Sequence, residues 1–217
     1  MIRHLLLDLD NTLYPASGGM DAGVTRRMMQ FLADYLSVSM EEAVRMRSLH
    51  LGKYGTTLEW LTVEHGLKDT DAYFKAVHPP QELDELQKDP ALRPFLQSLG
   101  MPMTLLTNAP AAHAKRVLDF FGISDLFLGS FDIEYHGGRG KPHQDCFLET
   151  LRVVGKSVQE TLFVDDHPKY LKGWQSLGGK GVLVNESLHL SALAEQEGYG
   201  IISSIYELGP YLNIYNY

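Results

Sequence analysis

The chain is short of cysteine, of long apolar runs and of positive charge, and each shortage removes a class of function. A single cysteine, Cys146, among 217 residues cannot form an intrachain disulfide. A reducing, cytoplasmic compartment is therefore expected, with Cys146 as a small core residue. The N-terminal leucine run ends after three residues at Asp8, too short for a signal peptide. No window approaches the ~18 consecutive apolar residues that cross a bilayer, so no membrane partner is expected. Nineteen Lys plus Arg stand against 27 Asp plus Glu, and the net charge of −8 repels a phosphate backbone. A nucleic-acid polymer is thus not an expected partner. Internal repeats and low-complexity tracts are missing as well. What is present is 44% hydrophobic, enough for one full core or a core plus a small accessory unit.

The chain changes character along its length. Residues 2–8 form a short apolar run ending in acid, the pattern of a central strand covered on both faces. From about 18 to 90 the pattern is helical, with Val24, Met28, Phe31, Leu32, Tyr35 and Leu36 at helical spacing, continued over 41–51 and 57–64. No strand is predicted in this stretch. Beyond Pro90 and Pro94, short strands (103–106, 161–164, 181–184) alternate with helices (111–121, 168–177). That succession predicts an α/β fold, a Rossmann-like doubly wound parallel sheet, with the helical stretch inserted after its first strand. Pro168 suits a first helical turn, and Gly178-Gly179 suits its end.

Two acidic sites close apolar strands. In Asp8-Leu9-Asp10-Asn11-Thr12, residues i and i+2 share a face, so extended backbone presents Asp8 and Asp10 together at the carboxyl end, where open parallel sheets bind ligands. In Leu162-Phe163-Val164-Asp165-Asp166 a second strand stops at two carboxylates. Four carboxylates at one sheet end repel unless a cation joins them, and all-oxygen ligation selects a hard ion, Mg²⁺. Between them, Leu106-Thr107-Asn108-Ala109 sets a hydroxyl and backbone N–H groups before a helix that Pro110 can open, a place for an anion. Gly138-Arg139-Gly140-Lys141-Pro142 carries a lysine in a flexible loop that could hold a phosphate oxygen. The nine histidines lack ligand spacing and are expected at surfaces and caps, with His167 singled out because it adjoins the acidic pair. The tyrosines near the end, Tyr199, Tyr206, Tyr211, Tyr215 and Tyr217, suit packing or a partner surface equally.

Asp8-Leu9-Asp10-Asn11-Thr12, Leu106-Thr107-Asn108, Gly140-Lys141-Pro142 and Val164-Asp165-Asp166 resemble, in order and spacing, the four motifs of the haloacid dehalogenase-like hydrolase superfamily. Residues 8–15, Lys53-Tyr54-Gly55-Thr56-Thr57-Leu58 and Thr107-Asn108-Ala109 look like its pyrimidine 5′-nucleotidase branch. The resemblance implies a core domain of residues 1–15 and 91–217, with a helical cap at 16–90. It implies Asp8 as nucleophile, forming an aspartyl-phosphate, and Asp10 as the proton carrier. Mg²⁺ would be held by Asp8, the Asp10 backbone carbonyl and Asp165, supported by Asp166. Thr107, the Asn108 N–H and Lys141 would hold the phosphoryl oxygens, and Tyr14, Lys53 and Tyr54 are candidates for substrate contact. The implied enzyme is a Mg²⁺-dependent phosphomonoesterase acting, as a monomer or homodimer, on a small phosphorylated metabolite such as a pyrimidine nucleoside 5′-monophosphate. The alternatives are a phosphoglycolate-type or sugar-phosphate phosphatase, a phosphomutase, or a non-catalytic binding protein of the same fold. Asp10 disfavours carbon–halogen cleavage, whose catalysts lack that second aspartate. Tyr170 stands where the nucleotidase branch usually has asparagine.

Overall fold

The computed structural model describes residues 1–214, so Tyr215 and Tyr217 of the tyrosine-rich end lie outside the described residues. Strand β1 (His4–Leu7) has all four residues buried, which is why three leucines follow one another in it without alternation. Leu5 and Leu7 point into one apolar cluster and Leu6 into another on the opposite face, the period of two that a strand imposes. Five further strands, β2 (Met103–Leu106), β3 (Phe127–Phe131), β4 (Thr161–Asp165), β5 (Lys180–Val184) and β6 (Gly200–Ile202), complete one sheet in the order β3-β2-β1-β4-β5-β6. All five pairings are parallel.

Four helices, α1 (Met20–Leu36), α2 (Met40–His50), α3 (Thr57–His65) and α4 (Thr70–Val77), follow β1 with no strand among them, and one further α-helix separates them from β2. Their starts have chemical causes: Ser39, Thr56 and Asp69 each accept a backbone N–H of the first turn. They share their own apolar cluster, centred on Leu32, Trp60, Leu61 and Val77, which Ile133 from outside the insertion joins. The sheet is covered by α5 (Leu92–Ser98), α6 (Ala111–Phe121), α7 (Gln144–Val153), α8 (Pro168–Gln175), α9 (Ser191–Glu197) and α10 (Leu208–Ile214). None of the described helices is long and apolar enough to cross a membrane.

The strands β2 and β4 and the helix α6 match the sequence reading closely; β3 and β6 were not anticipated. Both are edge strands, and half-exposed edges do not need the continuous apolar run that marks a central strand. Leu7 pairs with Leu105 on one side and Val164 on the other. This register brings the residues just after β1 and β2, and the last residue of β4, to one rim. From β1 the chain builds β2 and β3 to one side and β4 to β6 to the other, so that rim contains the crevice where the strand order reverses.

Candidate active site

Asp8 follows β1 directly, and its N–H bonds the Val164 carbonyl at 3.0 Å, so the β1–β4 ladder fixes where its carboxylate starts. Both carboxylate oxygens are engaged: Lys141 Nζ donates to Oδ1 at 2.6 Å, and the Thr12 hydroxyl to Oδ2 at 3.3 Å. The same ammonium donates to Asp165 Oδ2 at 2.6 Å, while Asp165 Oδ1 accepts from the His167 N–H at 2.8 Å. Burial alone would lower the Lys141 ammonium, but the charges of Asp165 and Asp8 outweigh it and raise it above the ordinary lysine range.

The turn after Asp10 depends on Asn11, whose positive φ of 59° is a conformation asparagine tolerates. Its amide donates to Asp166 at 3.2 Å and to Asp21 on α1 at 3.1 Å, joining the last motif to the inserted helices. Carboxylate oxygens of Asp8, Asp165 and Asp166 lie within 4.8 Å of one another. Burial raises Asp8 and Asp166 above the usual carboxylate range; Asp165 repels both, and Lys141 opposes the rise. When ionised, the three carboxylates exceed the one ammonium, which bonds two of them, by two negative charges, and this hard all-oxygen set fits a divalent cation such as Mg²⁺.

Asp10 faces differently. Its Oδ1 accepts from the Tyr14 hydroxyl and lies 2.7 Å from His113 Nε2. Burial would raise the Asp10 carboxyl, but the charge and hydrogen bond of His113, with the bond from Tyr14, hold it below the ordinary range. Burial would lower the His113 ring, yet Asp10 and Glu82 raise it to about 10. With 31% of its side-chain surface exposed, Asp10 opens onto the cavity.

Thr107 directly follows β2, and its hydroxyl caps the turn by accepting the Ala109 N–H at 3.0 Å. The Asn108 side chain is committed to the lysine loop, with Oδ1 accepting the Lys141 N–H at 2.8 Å and Nδ2 donating to the Lys141 carbonyl at 2.9 Å. A side chain at Gly140 would collide with that amide, which is why the loop has glycine there. Asp8, Asp10, Thr107, Asn108, Lys141 and Asp166 all line a cavity of about 270 Å³ between the sheet rim and the inserted helices.

The structure does not bring the sequence-chosen residues of the insertion to this cavity. Lys53, 66% exposed, pairs with Glu64 at 2.5 Å, and the Tyr54 hydroxyl donates to the same carboxylate at 2.5 Å. Tyr14 lies against Phe121 and reaches the site only through Asp10. The insertion instead contributes Met28, Arg47, Thr57, Tyr73 and Phe74 to the cavity wall. His167 is the N-cap of α8, accepting the Lys169 N–H at 3.2 Å. Tyr170 sits under the Lys141 ammonium, 5.1 Å from its ring centre, and its hydroxyl faces the Gly55 carbonyl at 3.4 Å. Missed from the sequence were Thr12, whose place within the first motif was a signal, and His113 and Glu82, for which local spacing offered none.

Comparison with known proteins gives the same reading. The yeast Saccharomyces cerevisiae "Phosphate metabolism protein 8" is 25% identical over 189 residues, 79% of this chain but 58% of that protein's length. "Phosphoglycolate phosphatase" of Pectobacterium atrosepticum is 25% identical over 197 residues, 83% of this chain and 79% of its own. The crystal structure of a HAD phosphatase from Thermococcus onnurineus superposes with a TM-score of 0.65 at 21% identity, covering 97% of this chain and 98% of that one, which shows the shared fold. The family model described as haloacid dehalogenase-like hydrolase matches residues 2–178, which contain every residue of the rim, and the chain belongs to that family.

Proposed function

We propose that this protein is a Mg²⁺-dependent phosphate monoesterase that forms an aspartyl-phosphate on Asp8, with a nucleoside 5′-monophosphate, pyrimidine first, as its substrate. The observation that carries the reading is the meeting of Asp8, Asp165, Asp166 and Lys141 at one rim, with Asp10 opening onto the same cavity. Residues 1–15 and 91–217 act as the core domain and 16–90 as the cap, a division supported by the separate apolar cluster of the inserted helices. The single buried cysteine supports a reducing, cytoplasmic setting.

Asp8 attacks phosphorus in line while the bond to the leaving oxygen breaks. Asp10 supplies that oxygen with a proton, then accepts one from the water that cleaves the acyl phosphate and frees inorganic phosphate. Thr107, the Asn108 N–H and Lys141 hold the remaining phosphoryl oxygens, and Lys141 also keeps Asp8 and Asp165 at bonding distance from one ammonium. Asp8, Asp165, Asp166 and the Asp10 carbonyl would hold the metal, which would supply positive charge to the transferring phosphoryl group.

A nucleotide is favoured by the cap side of the cavity, where Met28, Leu58, Tyr73 and Phe74 offer an apolar, aromatic wall for a planar base. A second reading, a phosphatase of small phosphorylated acids or sugars, is favoured by Arg47 on the same wall and by relatives named for phosphoglycolate and glyceraldehyde 3-phosphate. Phosphate release from nucleoside monophosphates, phosphoglycolate and sugar phosphates, each with Mg²⁺ and with EDTA, tests both. The expected result is release with Mg²⁺ alone, highest for pyrimidine nucleotides. Highest release from phosphoglycolate would select the second reading, and release undiminished by EDTA would remove the metal.

A further inference from the structure

A buried ionisable cluster lies behind Asp10 and has no part in the steps above. Glu82, with no side-chain surface exposed, belongs to the 3₁₀ turn Pro80–Glu85 that leads from α4 back toward the sheet. Its Oε1 is 2.8 Å from His113 Nδ1 and accepts from Arg116 at 2.5 Å, while Oε2 is 3.0 Å from His78 Nδ1. His113, fully buried on α6, thus has a carboxylate at each ring nitrogen: Glu82 at Nδ1 and Asp10 at Nε2, 2.7 Å away. The Glu82 carboxylate accepts from every neighbour, and Asp10 Oδ1 accepts whether or not Oδ2 carries a proton, so both ring nitrogens donate.

The consequence falls on one atom. Asp10 Oδ1 takes hydrogen bonds from both His113 and Tyr14, whereas Oδ2 has no protein partner among the described residues and belongs to a side chain that lines the cavity. Turning the carboxyl out of this arrangement would break two bonds and leave His113 Nε2–H and the Tyr14 hydroxyl unpaired. We propose that His113, anchored by Glu82, is a positioning residue that reserves Asp10 Oδ2 for the leaving oxygen and the attacking water, and ties it to the segment by which the inserted helices rejoin the sheet. This rests on the reading of Asp10 as proton carrier.

His78, Glu82 and His113 also bring three donor atoms within 4.8 Å of one another, as a zinc site would. Arg116 on Glu82 already supplies a positive charge there, and contacts of 2.8 to 3.1 Å are those of hydrogen bonds.

The test is the leaving-group dependence of kcat/KM for the full chain with Mg²⁺, over substituted phenyl phosphates from p-nitrophenyl to unsubstituted phenyl. A p-nitrophenolate leaves without a proton; a phenolate needs one. His113→Ala is expected to cost phenyl phosphate on the order of 10- to 100-fold and p-nitrophenyl phosphate under about 3-fold, which steepens the dependence. Glu82→Gln, which keeps the side-chain shape, should steepen it in the same direction by less, and carries the test if His113→Ala does not fold. An unchanged slope in the folded variants, with rates equal to the parent or reduced equally for every ester, overturns the proposal. Asp10→Asn with the parent's slope and rates would instead overturn the proton-carrier reading beneath it. Stoichiometric zinc that copurifies with the parent and is lost from Glu82→Gln would overturn the hydrogen-bonded arrangement.

Discussion

Burial decides what each ionisable side chain does here, and His4 shows it away from the rim. Its ring lies within β1 between the hydroxyls of Thr161 and Thr104, at 3.0 and 2.9 Å. Burial first, then the charge of Lys156, lowers its pKa to about 4. An unfolded chain protonates this histidine below about pH 6.5, so between there and pH 4 the unfolded state binds more protons and stability falls as pH falls. The contribution is intact above pH 6.5, and about 2 kcal/mol of it is lost by pH 5. Urea unfolding at pH 7.5 and pH 5 measures this: His4→Gln should lose less stability over the interval than the parent, and equal losses contradict the assignment. At the same scale, Asp8, Asp165, Thr107 and Lys141 were legible because each follows an apolar strand or sits in a glycine loop. His113 was not, since its partner Asp10 is 103 residues away and no local pattern marks the pair. Lys53 and Tyr54 misled because composition cannot show that Glu64, on α3, takes both.

Among elements, α8 and the loop of the insertion are joined by a set of hydrogen bonds at the cavity. Lys169, in the first turn of α8, donates to the carbonyls of Leu51, Tyr54 and Gly55 at 2.9, 2.7 and 3.1 Å. His143 adds a contact to Glu59 at 2.8 Å. These bonds hold the cavity wall over the rim. Lys169→Met keeps much of the stem and removes the charge, and should raise KM for the best substrate on the order of tenfold with the melting temperature little changed. An unchanged KM would show that the wall stays in place without it. The helices of the insertion were legible from their spacing, because a helix that buries one face repeats its apolar residues at the helical period. The short edge strands β3 and β6 were not, because pairing on one side leaves little demand on side-chain type.

For the molecule as a whole, six parallel strands converge their carboxyl ends, and the order of the sheet places β1 beside β2 and β4. Parallel topology followed from the alternation of short apolar runs and helices, so the gathering of distant motifs was readable before any coordinates. The shape of the cavity was not, because it depends on how the inserted helices pack on one another and on the rim. That arrangement supports the proposal that Asp8 is the attacking group, and Asp8→Asn tests it most directly. With Mg²⁺ present, phosphate release should drop on the order of 10³-fold or more while the circular dichroism spectrum and cooperative thermal unfolding are retained. A folded Asp8→Asn protein that keeps more than a small fraction of the parent's turnover would contradict the account, because some other group would then be attacking phosphorus.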